Sequence, residues 1–125
     1  MAGAVYNLVM QTYKGKCHCG AVTFEADLDF AKVLKCNCSH CEVKGLLLRF
    51  IPKANFTIIT GESELTEYLF HKKFIHHLFC KHCGVEPFAR GVGADGKETI
   101  AINVRALEGI DLDSLTLTPF DGKSW

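Results

Sequence analysis

The sequence predicts a small, mainly β, β-sandwich-like domain with at most one short helix, pinned by clustered cysteines. Three observations carry that expectation. Short runs rich in β-branched and aromatic residues recur along the chain, glycines punctuate them, and seven Cys fall in three tight groups. β-branched and aromatic side chains suit a pleated, half-buried surface, and runs of this length between Gly-containing turns read as strands.

Seven segments fit that description: residues 20–28, 46–51, 56–60, 65–70, 74–79, 85–90 and 99–107. Alternation is clearest in the last, where Ile100, Ile102 and Val104 interleave with Thr99, Ala101 and Asn103, the two-residue period of a strand. Gly61, Gly91 and Gly93 break the runs, and Asp95-Gly96 reads as a hairpin turn between Arg90 and Thr99. One short helix is expected over 107–115, with Asp111 or Asp113 at its start. Residues 1–13 read as an N-terminal extension and 14–125 as a single domain, since 125 residues are about one domain's worth of chain.

Fourteen Lys and Arg balance fourteen Asp and Glu, so the chain lacks the basic field that gives affinity for phosphate backbones, and nucleic acid is not an expected partner. Lys72 and Lys73 make a short basic spot, too small for a binding surface. No apolar run approaches the roughly 18–20 residues needed to cross a bilayer, and no basic residue precedes Lys14. A membrane span and a secretory signal are therefore not expected.

Function is to be sought in the seven Cys and six His. The clusters are Cys17-His-Cys19-Gly, Cys36-Asn-Cys38-Ser-His-Cys41 and Cys80-Lys-His-Cys83-Gly. An odd count and pairs this close suit metal ligation in a reducing, cytoplasmic compartment better than a disulfide framework. Two sulfurs separated by two residues wrap a turn toward one ion, and a following Gly permits the positive φ of such a knuckle. In Cys17-x-Cys19 both side chains share a face if the segment is extended. Zinc takes four ligands in a structural site and three protein ligands plus an open position in a catalytic one, so seven divides as four plus three, two zinc ions per chain. Spacing also leaves open a second closed site completed by a His, or a pairing of Cys17 and Cys19 with Cys36 and Cys38.

The order KGKCHCGAVTFE, CNCSHC, FIHHLFCKHCGVEPF, INVRALEGIDLD and PFDGKSW resembles the glutathione-dependent formaldehyde-activating enzyme family, which also contains centromere protein V. The likeness runs from about Lys14 to the C-terminus and is to its short, bacterial-type members. It implies a β-rich zinc fold similar to that of the small release factors acting on Rab GTPases (Mss4-like). It also implies that Cys17, Cys19, Cys80 and Cys83 hold a structural zinc, and that Cys36, Cys38 and Cys41 hold a catalytic one.

Three thiolates weaken the pull of zinc on a bound water, which disfavours hydrolysis, and suit the site to a soft sulfur, because a coordinated thiol is deprotonated. Addition of that sulfur to an aldehyde gives a hemithioacetal, and with glutathione and formaldehyde the product is S-hydroxymethylglutathione. The expected function is a zinc-dependent carbon–sulfur lyase or its reverse, with a small thiol and an aldehyde as partners. The alternative is a thiol carrier or a non-catalytic zinc interaction module. His40 lies inside the triplet and is the candidate for proton handling, with a solvated loop residue as the plainer reading. His77, just before Cys80, is a second candidate for proton handling but is expected rather to make a packing hydrogen bond, and His18 and His82 are expected to be exposed spacers. Arg49, Arg90 and Arg105 are expected to be solvated, although any of them has the charge to receive a substrate carboxylate. Phe79 and Phe88 read most simply as core.

Overall fold

The computed structural model describes residues 9–70, 75–93 and 95–122; Lys72, Lys73 and Phe74, singled out above, lie outside them. Among the described residues the strands are β1 (Gln11–Lys16), β2 (Thr23–Leu28), β3 (Val33–Cys36), β4 (Leu48–Pro52), β5 (Phe56–Thr60), β6 (Leu65–Tyr68), β7 (His76–Cys80), β8 (Phe88–Val92), β9 (Glu98–Asn103) and β10 (Leu117–Phe120), and there is one short helix, α1 (Ser39–Lys44). They form two sheets, a three-stranded one ordered β1-β2-β5 and a seven-stranded one ordered β10-β3-β4-β9-β8-β7-β6. Among the described residues no helix is long and apolar enough to cross a membrane.

The main core lies between the sheets. Along β2 the apolar residues Phe24, Ala26 and Leu28 alternate inward, and Phe24, Leu28, Phe88 and Ile102 are almost wholly excluded from water. The Phe88 ring meets Phe24 and Phe56 at centroid separations of 6.1 and 4.6 Å, which makes Phe88 core, as expected. A second apolar cluster covers the outer face of the large sheet, where Leu34, Leu46, Leu48, Ala89 and Ala101 surround Cys41. Ala89 and Ala101 are register partners on β8 and β9, and their small side chains leave room for α1 to lie against the strands.

Two expectations need correction. No α-helix occupies 107–115: Val104–Ala106 and Leu112–Ser114 are single 3-10 turns. Leu107 is tied to Gly15 by a bridge, and Gly109 takes a φ of 74°, so a continuous helix is interrupted before it can start. Asp111 does cap the second turn, accepting from the Asp113 N–H at 3.2 Å. Nor is Cys17-x-Cys19 extended, because Gly20 N–H donates back to the Cys17 carbonyl at 3.3 Å and folds the pair into a turn.

Strand boundaries also moved. β8 begins at Phe88, after Pro87, which has no N–H to give a ladder. β1, β3 and β10 were not anticipated. β10 is an edge strand containing Pro119 and runs parallel to β3, placing Phe120 in register with Cys36, so the far end of the chain lies beside the second cysteine cluster. The hairpin at Asp95-Gly96 is present, with β8 and β9 pairing as far as Val92 and Glu98.

Candidate metal centres

The Cys17, Cys19, Cys80 and Cys83 sulfurs all lie within 4.8 Å of one another. Cys19 Sγ is 3.7 Å from Cys17 Sγ and 3.6 Å from Cys80 Sγ. A tetrahedron with zinc–sulfur bonds of about 2.3 Å has edges of about 3.8 Å, so the spacing fits one tetrahedral ion, and all seven cysteines are free thiols. The two halves are built alike. Cys17 N–H and Cys80 N–H donate to the carbonyls of Val22 and Val85, Gly20 and Gly84 return N–H bonds to Cys17 and Cys80, and those glycines take φ of 82° and 80°, a conformation that costs other residues energy. Backbone N–H groups of Val22 and His82 point at Cys17 Sγ and Cys80 Sγ at 3.3 and 3.4 Å, an arrangement suited to thiolate.

Cys36, Cys38 and Cys41 form the second group, again within 4.8 Å. Cys36 ends β3, Cys38 is the N-cap of α1 and Cys41 sits in its first turn. Cys38 Sγ accepts from Cys41 N–H at 3.3 Å and Cys36 Sγ from Cys38 N–H at 3.4 Å. A six-residue helix is not stable alone. This one is fastened at its start by the Cys38 cap, in its middle by buried Cys41, and at its end by Arg105, whose Nε donates to the Gly45 carbonyl at 2.9 Å. Gly122 closes the cluster from the other side: a Cβ there would stand 2.5 Å from Cys36 Sγ and 3.3 Å from the Cys38 Cβ. Burial, reinforced by Cys36 and Cys38, pushes the Cys41 thiol far above its ordinary value, and burial also raises Cys36. Three thiolates this close need a cation beside them.

The third constellation was only half visible in the sequence. His40 Nε2 lies 3.2 Å from Glu86 Oε1 and His77 Nδ1 lies 3.3 Å from Glu86 Oε2, all three side chains at least nine-tenths buried, with the Lys44 ammonium 3.4 Å from Oε1. Burial pushes the Glu86 carboxyl up, but the hydrogen bonds from His40 and His77 and their charge outweigh it and hold it at about 2. Asn103 Nδ2 donates to the Glu86 carbonyl at 2.9 Å and fixes the segment. His40 is thus no solvated loop residue, and His77 packs against it at a centroid separation of 4.0 Å. Glu86 was missed, although an acid inside Gly-Val-Glu-Pro-Phe, flanked by core residues, was a signal that it is buried with partners.

The remaining candidates have structural partners. Arg49 donates to the Asp29 carbonyl and pairs with its carboxylate at 3.1 Å, and Arg90 approaches Glu67 at 3.6 Å. His18 and His82 are exposed, as expected of spacers, and the Phe79 ring receives Lys44 at 5.1 Å.

A mainly β domain of two sheets, with cysteine clusters consistent with a zinc-binding Mss4-like fold, is the class of protein that fold and sites define. The chain belongs to the family described as "Glutathione-dependent formaldehyde-activating enzyme", whose profile matches residues 12–116. A crystal structure of a Rhodobacter sphaeroides protein, solved by structural genomics, is similar to it at 32% identity and a TM-score of 0.75, over 85% of this chain and 97% of that one.

Proposed function

We propose that the protein is a zinc enzyme that joins a small thiol to an aldehyde, or splits their adduct. Cys17, Cys19, Cys80 and Cys83 hold a structural zinc, while Cys36, Cys38 and Cys41 hold a second zinc with one position left for substrate sulfur. The observation that carries this reading is the asymmetry of the clusters. Four sulfurs from two distant knuckles complete a tetrahedron, whereas the triplet is supplied by one short segment with a protein ligand too few. Membership of the family supports the same division.

When bound at the triplet, zinc would keep a substrate thiol ionised near neutral pH. In the forward direction the sulfur adds to the carbonyl carbon, the C=O electron pair moves to oxygen, and the proton lost by the thiol ends on that oxygen as a hydroxyl. His40, held by Glu86 within the triplet loop, is the side chain assigned to carry that proton. Glutathione or a similar thiol and an aldehyde are the substrates of this reading, and a reducing, cytoplasmic compartment is where such free thiols persist.

Thiols add to formaldehyde unaided, so the test is acceleration. The exchange rate between glutathione and its hydroxymethyl adduct, measured by NMR, should rise with zinc-loaded protein and fall back with Cys38→Ser. Cobalt substitution should report thiol binding as a change in the sulfur-to-metal charge-transfer band. Binding without acceleration makes the protein a carrier; no binding of any thiol makes it a structural module.

A further inference from the structure

A cleft of about 260 Å³ opens beside α1, lined by Ser39, His40, Val43, Lys44, Tyr68 and Phe70. Pockets for drug-sized ligands begin at about 300 Å³, so this one suits a ligand somewhat smaller than that, and formaldehyde would leave most of it empty. Ser39 and His40 lie between Cys38 and Cys41 in sequence, so the cleft adjoins the turn that carries two of the triplet cysteines.

The walls have a definite chemistry. The His40 ring stacks with Tyr68 and Phe70 at centroid separations of 5.8 and 5.3 Å and interplanar angles of 22° and 29°, and Tyr68 and Phe70 stack on each other at 5.7 Å. Tyr68 is 49% exposed and Val43 87% exposed, which leaves aromatic and aliphatic surface facing water at one rim. The Lys44 charge is engaged by Glu86 and lies over Phe79, so it is not held ready for a ligand's carboxylate. His40 Nε2 is turned to Glu86, and His40 Nδ1 is buried with no hydrogen-bond partner among the described residues.

Resting on the reading of the triplet given above, we infer that this cleft holds the aldehyde-derived half of the adduct and selects a planar, apolar ring, as in an aryl aldehyde, over formaldehyde. Offset stacking on Tyr68 and Phe70 supplies the selectivity.

Benzyl alcohol has the ring and the hydroxyl but no reactive carbonyl, so it probes the cleft apart from catalysis. Titrated into zinc-loaded protein and followed by amide NMR, it should give saturable shifts centred on Ser39, His40, Val43, Tyr68 and Phe70, at least about tenfold tighter than methanol. Tyr68→Ala should weaken binding by about fivefold or more, and Tyr68→Phe should restore it. Absence of saturable shifts there, methanol binding as well as benzyl alcohol, or indifference to Tyr68→Ala would overturn the inference. In exchange with glutathione, benzaldehyde should be accelerated over its uncatalysed rate at least about tenfold more than formaldehyde is. If formaldehyde is accelerated equally or more, the inference fails and the catalytic reading stands. If benzyl alcohol binds as described but neither aldehyde is accelerated, the catalytic reading and the assignment to an adduct fail together, and only a planar-ring site remains.

Discussion

The two cysteine clusters use the same ligand atom in opposite architectures. The four-sulfur cluster joins Cys19 to Cys80 across 61 positions of sequence, has two sulfurs fully excluded from water, and is backed only by a small apolar group around Val22, Leu65 and Val85. The triplet is local, half-buried except for Cys41, and sits on the outer face of a sheet that already has a core on its other side. On the proposed reading, a metal in the first cluster would substitute for core where core is thin, and the second would sit on a scaffold expected to stand without it. Ligands gathered from distant segments contribute to folding, whereas ligands gathered from one turn are free to leave a position for substrate.

The comparison breaks most visibly if the four-sulfur cluster is opened. Structural zinc contributes apparent free energies of about 10–16 kcal/mol in small zinc domains, against a net stability of about 5–15 kcal/mol for a domain. Cys80→Ser or Cys83→Ser is expected to abolish cooperative folding, seen as loss of a thermal transition. Cys38→Ser is expected to leave a folded protein with one metal ion fewer, its midpoint within a few degrees of wild type, because Ser is itself a favoured N-cap and keeps α1 started. Equal damage from both substitutions would make the triplet structural as well.

How much of this was legible follows the same division. Cysteine spacing and the glycines after Cys19 and Cys83 exposed the two knuckles, each written in a few contiguous residues, whereas their pairing into one four-sulfur site was implied only by the family resemblance. The central strands were legible because Phe24, Ala26 and Leu28, or Ile100 and Ile102, keep a two-residue period. β10 was not: Leu117–Phe120 is short, contains a proline, and is a strand only because β3 lies beside it. α1 was hidden for the same reason, since Ser39–Lys44 has too few residues for a helical period and is held by a cysteine cap and a distant arginine. Glu86 escaped because nothing local says that two histidines 46 and 9 positions earlier, His40 and His77, converge on it.

Glu86 is the next largest lever, because it lies between the clusters, three positions beyond Cys83 and bonded to His40 of α1. Removing one partner of a buried, charge-assisted network costs about 3–5 kcal/mol, so Glu86→Ala should lower the denaturant midpoint clearly while both metal sites still fill. Its pH signature has a fixed sign. A carboxyl held at about 2 in the folded chain, against about 4.3 unfolded, stabilises fully above the unfolded value and loses that contribution as pH falls through about 2. Thiolate-bound metal is released in acid, so the comparison is read near neutral pH, where the contribution is fully present: Glu86→Gln should be clearly less stable than wild type, and equal stability would remove the carboxylate from the account.

Chelation separates the sites without mutation. The half-exposed triplet should surrender its ion first to a competing chelator, with far-ultraviolet circular dichroism unchanged, and the four-sulfur site should follow with loss of structure. Simultaneous loss of both ions would mean that the clusters are one cooperative unit.

The smallest and most local test is Gly122→Ala. Gly122 follows β10, and the added methyl group would meet Cys36 Sγ at 2.5 Å, closer than any unstrained contact, with the Cys38 Cβ at 3.3 Å and Phe120 Cε2 at 3.6 Å. A sulfur fixed on an ion cannot swing aside as a free side chain would, so either the strand end or the sulfur must move. β10 is an edge strand whose outer residues are exposed, and its displacement costs the main core little. Metal affinity at the triplet should therefore fall by about ten- to a hundredfold, the range seen when the support of a metal ligand is disturbed, while the thermal midpoint moves by only a few degrees and the four-sulfur ion stays bound. Unchanged triplet affinity would show that the β10 end yields without disturbing Cys36, and that the site is held by β3 and α1 alone.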